Sequence, residues 1–164
     1  MTKEILLPQG RIVLVDDDDF EKVSSYRWRL CGKGPNKYAI TNSPRKLGVR
    51  TGILMHRMLM GAEKGDGKFV DHINGNGLDN RRENLRFATL SQNQANTHVV
   101  KSASGYKGVF KHCKGNWEAR IGYSYAGKKK YKSLGVFKDK REAAIAYNTA
   151  ALVLYGEYAK LNDT

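Results

Sequence analysis

The chain has 164 residues, enough for one ordinary domain or two small ones with modest cores. Lys and Arg total 29 against 16 Asp and Glu, a formal +13, which favours a polyanionic partner: nucleic acid first, an acidic membrane second. Cys31 and Cys113 are far apart and form no CxxC pair, so neither a zinc ribbon nor a disulfide framework is indicated, and a reduced setting fits best. The apolar runs are too short to span a bilayer and "MTKEILLPQG" lacks the organisation of a signal peptide, so a soluble, cytoplasmic protein is expected.

Residues 1–52 read as a small β-rich region: "RIVLV", the acidic stretch "DDDDF", "YRWRLC", the break "GKGPN" and "KYAITN". The run Asp16 to Asp19 reads as a solvated turn closing a strand. "ILMHRMLM" then puts Leu54, Met55, Met58 and Leu59 on one side of a short helix, with His56 expected to be a satisfied, partly buried histidine. "KFVDHI" reads as a strand, "NGNGLDNRREN" as a turn-rich loop, "LRFATL" as a second strand and "SQNQANTH" as a helix capped by Thr89 or Ser91. These two stretches make a module over 53–98, followed by a linker at 99–103.

The last part, 104–164, reads as three strands, "YKGVFKH", "NWEARIGYSY" and "KKYKSLGVF", and one helix. Asp139 and Glu142 have the spacing of a capping box, and Gly156 is placed to end the helix. Residues 99–164 carry 13 basic and 5 acidic side chains, which makes this the expected electrostatic anchor. The class is α+β.

The stretch "VDHINGNGLDNRRENL" carries the chemistry. Hydrolysis of a phosphodiester needs an activated water and a cation for the charge that develops on the phosphate and leaving oxygen. A neutral imidazole can take a proton from water near pH 7, which suits His72. A hard divalent cation takes oxygen ligands, for which Asp71 supplies a carboxylate and Asn93 a neutral amide oxygen, with Asn96 as the competitor. Neighbouring residues of a strand point to opposite faces, so Asp71 and His72 serve one site only if the chain bends there. Asn84 suits a structural task, tying the loop backbone and holding His72. Arg81, Arg82 and Arg86 suit phosphate contacts.

With "HRMLM" upstream, "DHINGNGLDNRRENLRFATLSQNQAN" resembles the HNH endonuclease superfamily, in its phage and homing-endonuclease branch where the last motif letter is Asn. The resemblance covers residues 53–98. It implies a ββα-metal fold in which His72 is the general base, Asp71 and Asn93 hold one Mg2+ or Mn2+, and Asn84 is the structural middle residue.

Further on, "GYKGVFKH", "GNWEARI" and "SLGVFKDKREAAIAYNTAALVLYGEYAKLN" resemble the AP2 DNA-binding domain, a three-stranded antiparallel sheet packed on one helix. The resemblance implies that the sheet face opposite the helix meets duplex DNA. Lys107, Lys111, Trp117, Arg120, Lys130 and Lys132, basic and aromatic residues along these strands, are the candidate contacts. This chain has Lys107, Phe110 and His112 where plant members carry arginines, and Ser133 where a tryptophan is usual, so their target preference does not carry over.

Together these readings imply a metal-dependent, site-preferring endonuclease of homing type that nicks double-stranded DNA as a monomer or weak dimer, in a phage-infected or bacterial cell. The alternatives are a non-catalytic DNA-binding regulator that uses the nuclease fold as scaffold, and an RNA-directed protein.

Overall fold

A computed structural model describes residues 1–33, 36–44, 50–63, 65–97 and 102–164. His98, at the end of the expected helix, and 99–101 of the expected linker lie outside the described residues. The chain forms two compact units, Met1–Thr89 and Leu90–Thr164.

The first unit opens with an antiparallel hairpin of β1 (Thr2–Leu6) and β2 (Ile12–Asp16). Alternation along β2 buries Val13 and Val15 completely. Helix α1 (Asp17–Ser24) follows at once, where a solvated turn was expected. Asp17, Asp18 and Asp19 occupy its first turn, where carboxylates meet the positive end of the helix dipole. Nor is the acidic run fully solvated. Asp19 is 4% exposed and receives Nε and Nη2 of Arg82, both at 2.7 Å, while Asp16 accepts the Arg82 backbone N–H at 2.7 Å.

Strands β3 (Arg29–Cys31), β4 (Tyr38–Asn42) and β5 (Gly52–Leu54) make a second antiparallel sheet. β5 runs directly into α2 (Met55–Leu59), so the expected helix begins two residues late because Ile53 and Leu54 pair with Thr41 and Ile40. A third antiparallel pair, β6 (Phe69–His72) and β7 (Leu85–Ala88), carries the "DH" dipeptide.

One core serves all of these pieces. Leu7, Val13, Val15, Val23, Trp28 and Ala39 pack with Met55, Leu59, Val70 and Leu85. The β-rich N-terminal residues are therefore part of the same packed body as the β6–β7 hairpin.

In the second unit, α3 (Leu90–Ala95) precedes a three-stranded antiparallel sheet of β8 (Val109–Lys111), β9 (Trp117–Tyr125) and β10 (Lys128–Phe137), with β9 central. Helix α4 (Lys140–Tyr155) is capped by Asp139, whose side chain accepts the Arg141 N–H. Ala143 and Ala144 of α4 pack on Val109 and Ala119, and Tyr147 and Ala151 on Ile121. Small side chains let helix and sheet approach: a Cβ on Gly108 would lie 2.0 Å from the Tyr147 ring. No helix among the described residues is long and apolar enough to cross a membrane.

Met55 is fully buried beside Val70 and Leu85. Met55→Ala should cost the first unit about 2–5 kcal/mol. Urea unfolding followed by Trp28 emission, in a Trp117→Phe background, measures it.

Candidate nuclease site

The hairpin register places Asp71 opposite Arg86 and His72 opposite Leu85. Val70, Asp71 and His72 are all buried, on both faces of the strand. Arg86 answers the Asp71 charge, with Nε and Nη2 each 3.0 Å from Oδ2. β6 ends at His72, and the backbone turns there: Gly75 N–H donates to the His72 carbonyl at 2.8 Å, with Gly75 at φ 74°.

Residues 73–84 have few apolar side chains and are held by a polar lattice. Asn84 Oδ1 accepts from the Asn74 N–H at 2.9 Å, and Asn84 Nδ2 donates to the Asp79 carbonyl at 2.7 Å. Asn74 and Asn76 each accept from the N–H two residues on, the local turn geometry that asparagine favours. Asp79, 2% exposed, takes Arg81 Nε and Nη2 at 2.8 Å each and Asn74 Nδ2 at 2.8 Å. The loop also docks on β2: Leu14 N–H donates to Leu78 O at 2.9 Å, and Asn80 N–H to Leu14 O at 2.8 Å. Gly77 lies against β4, where a Cβ would fall 2.3 Å from the Lys37 carbonyl and 2.5 Å from the Tyr38 ring.

His72 is 5% exposed, with Asn80, His56 and Tyr38 among its neighbours. Its Nε2 lies 3.4 Å from Asn80 Oδ1. The His56 ring meets it edge-on at 4.8 Å between centroids, and the Tyr38 ring lies 5.8 Å away. Burial pushes the His72 pKa down, against the opposing pull of Asn80, Asp71 and Asp79, so the ring is neutral and able to accept a proton near pH 7. His56 is lowered to about 3, first by burial and then by His72 and Arg57. The expectation of a satisfied, partly buried His56 needs correction: it is 6% exposed, and its Nδ1 has no hydrogen-bond partner among the described residues.

The motif residues separate as follows. Asp71, His72 and Asn84 lie together in the first unit, while Asn93, half-buried on α3, and Asn96, buried just beyond it, belong to the second. Arg81, Arg82 and Arg86 are engaged by Asp79, Asp19 and Asp71 respectively. Among the described residues no three His, Cys, Asp or Glu side chains converge as a metal cage. A carboxylate and amide oxygens are instead a hard, sparse donor set, which suits a cation that keeps water and shares a substrate phosphate.

On the second unit, register decides which side chains share the sheet face away from α4. Arg120 stands there with Phe110, Lys129, Tyr131 and Ser133. Arg120 lies over the Phe110 ring and Lys129 over Tyr131, at 5.7 and 5.4 Å. Glu118, lowered to about 2 by Arg120 and Ser133, is a carboxylate on the same face. Lys111, Lys130 and Lys132 are exposed but take the α4-side parity, and Trp117 packs into the core. Lys107 donates through Nζ to the carbonyls of Ala95 and Thr97 and is lowered to about 8 by burial.

Residues 53–95 match the family described as HNH endonuclease. The chain is also 29% identical, over 157 residues, to an uncharacterized HNH endonuclease of Acanthamoeba polyphaga mimivirus, covering 94% of this chain and 76% of that protein. It is 46% identical over 63 residues to an AP2-like ethylene-responsive transcription factor of Arabidopsis thaliana, covering 38% of this chain and 16% of that protein. A dehydration-responsive element-binding protein of the same plant is 46% identical over 57 residues, covering 35% of this chain and 27% of its own length.

Asp79, Asn80 and Tyr38 were not singled out by sequence reasoning. The first two lie inside the motif, where the density of Asp and Asn was the available signal; Tyr38 carried none. His56 yields a pH prediction. Its pKa is about 3 in the fold against an ordinary 6.5, so the unfolded chain binds the extra proton between those values. Stability of the first unit should therefore fall as pH falls through that window. Urea unfolding of His56→Gln across the same range should lose this part of the slope.

Proposed function

We propose that the protein is a metal-dependent DNA endonuclease that hydrolyses phosphodiester bonds, with His72 as general base. The observation that carries this reading is a buried, neutral imidazole beside a carboxylate, on a hairpin whose loop is clamped by Asn84, within the stretch that matches HNH endonucleases.

His72 takes a proton from water, and the water oxygen attacks phosphorus. One divalent cation, Mg2+ or Mn2+, would carry the charge developing on the phosphate and leaving oxygen. Asp71 would hold it through its carboxylate and, on the spacing of the motif alone, Asn93 would supply a neutral oxygen; the sequence resemblance implies a ββα-metal nuclease fold. Asn84 orients the loop. The sequence resemblance implies 5′-phosphate and 3′-hydroxyl ends, and one motif per chain implies a nick by each protein molecule. Site preference, as in homing enzymes, comes from the AP2-like sheet, whose face bearing Phe110, Arg120, Lys129 and Tyr131 combines cations for phosphates with rings and polar groups for base edges.

One observation favours a second reading. Arg86 already neutralises Asp71, so the hairpin is electrostatically complete without a cation, as a scaffold in a non-catalytic DNA-binding regulator would be.

A supercoiled plasmid incubated with Mg2+ or EDTA separates the two. The nuclease reading expects Mg2+-dependent nicked circle from wild type and none from His72→Ala, with DNA affinity kept, because the base acts in the chemical step. Retarded but uncut plasmid with both proteins supports the regulator. Independently, Arg120→Ala with Lys129→Ala should weaken DNA binding. The slope of log affinity against log salt should also become shallower, by about 0.9 for each phosphate that the two cations neutralise in the wild type, measured by fluorescence anisotropy.

A further inference from the structure

Asn80 is the most completely buried polar residue in the His72 environment, at 0% exposure. Its backbone is anchored outside the hairpin, through its N–H to the Leu14 carbonyl of β2. Its side chain presents Oδ1 to His72 Nε2, at 3.4 Å, and leaves Nδ2 with no hydrogen-bond partner among the described residues. A buried orphan donor is destabilising, so as a loop-packing residue this asparagine is a poor choice. An apolar residue of the same shape would pack there without that cost. What the amide adds is one acceptor aimed at one imidazole nitrogen.

The ring has little freedom to turn away from that acceptor. His56 meets His72 edge-on at 77° between planes, and Tyr38 lies against both imidazoles, 5.3 Å from His56 and 5.8 Å from His72. The anchor on β2 and the ring wall from β4 and α2 come from parts of the chain outside the β6–β7 hairpin.

We propose that Asn80 is a positioning residue for His72: its side-chain oxygen accepts from Nε2–H and so holds the neutral ring in the tautomer whose basic lone pair is on Nδ1. The inference rests on the reading of His72 as general base. In the step it serves, a water O–H bond breaks and its proton goes to His72 Nδ1. The water oxygen bonds to phosphorus, the bond from phosphorus to the 3′-oxygen breaks with its electron pair going to that oxygen, and the oxygen takes a proton from solvent water to leave as the 3′-hydroxyl. Asn80 Oδ1 stays on Nε2–H throughout, holding the ring as it becomes an imidazolium. A neutral amide does this without adding charge beside Asp71 and Asp79.

The wild-type test needs no variant. In full-length protein with 15N-labelled histidine, long-range 1H–15N correlation at a pH where His72 is neutral reports which nitrogen bears the proton, and His72→Ala assigns the signal. An Nε2–H ring is expected. An Nδ1–H ring overturns the proposal, because the amide would then face His72 with Nδ2.

Two variants separate positioning from packing. Asn80→Leu keeps the branched heavy-atom skeleton and removes the acceptor; with folding confirmed by its urea transition, it should shift the ring to a mixture of tautomers and lower kcat for plasmid nicking about 10- to 100-fold with KM unchanged. Asn80→Asp keeps an oxygen acceptor and should retain the Nε2–H ring. Loss of Nε2–H in Asn80→Asp, or unchanged kcat in Asn80→Leu, overturns the role. His72-dependent cutting by a protein with an Nδ1–H ring defeats the Asn80 assignment and leaves the nuclease reading standing. An Nε2–H ring in a protein that cuts no DNA defeats the nuclease reading, and the catalytic role of Asn80 with it, while the contact itself stands.

Discussion

Asp79 is the fixed point of the candidate site. Its neighbours Leu78 and Asn80 bond β2 at Leu14, its N–H donates to the Asn76 carbonyl, its carboxylate is shared by Arg81 and Asn74, and its carbonyl accepts from Asn84. A loop of twelve residues so rich in Asn, Gly and Arg cannot hold a shape by apolar burial, and each backbone polar group it buries needs a partner. Asp79 meets that requirement from three directions at once. Asn84, at the end of the loop, then ties it together by bonding Asn74 near its start and Asp79 in its middle. His72 is held where it is because the chain on its C-terminal side has this lattice to lean on.

The first unit is also a study in charge disposal. Arg81, Arg82 and Arg86 form a basic cluster in the sequence, yet each finds a carboxylate, and two of the three carboxylates come from within or beside the motif. Asp19 comes instead from α1, so the acidic run of the N-terminal segment is a counter-charge for the loop. Burial strengthens the Asp71–Arg86 pair, and burial also keeps His72 and His56 neutral. Ion pairs and neutral imidazoles are complementary consequences of one environment.

The second unit solves a different problem. Its small-residue helix packs tightly on one sheet face, leaving the other to Phe110, Arg120, Lys129 and Tyr131. Arg120 is held by Glu118 and stacked over Phe110, so its guanidinium is pre-positioned. Lys107 shows the limit of arguing from charge alone, since its ammonium serves the carbonyls that end α3.

Much of this was determined by sequence. The strand at "RIVLV", the β6–β7 hairpin, the three strands of the second unit and the helix capped by Asp139 follow from local signals, alternation and cap chemistry, and the same signals single out Asp71, His72 and Asn84 as candidates. Those signals act over a few residues. Tertiary structure decided everything that depends on a partner distant in the chain. The run Asp16 to Asp19 became the end of β2, a helix start and a counter-charge, with Arg82, more than sixty positions away, reaching Asp19. His56 became a buried neutral ring because His72 and Tyr38 close over it, leaving its Nδ1 without a hydrogen bond among the described residues. Sheet parity sorted the basic residues near the sheet, putting Arg120 on the open face and turning Lys130 and Lys132 away from it. Charge and propensity can be read from neighbours in sequence; burial, and the protonation that follows from it, cannot.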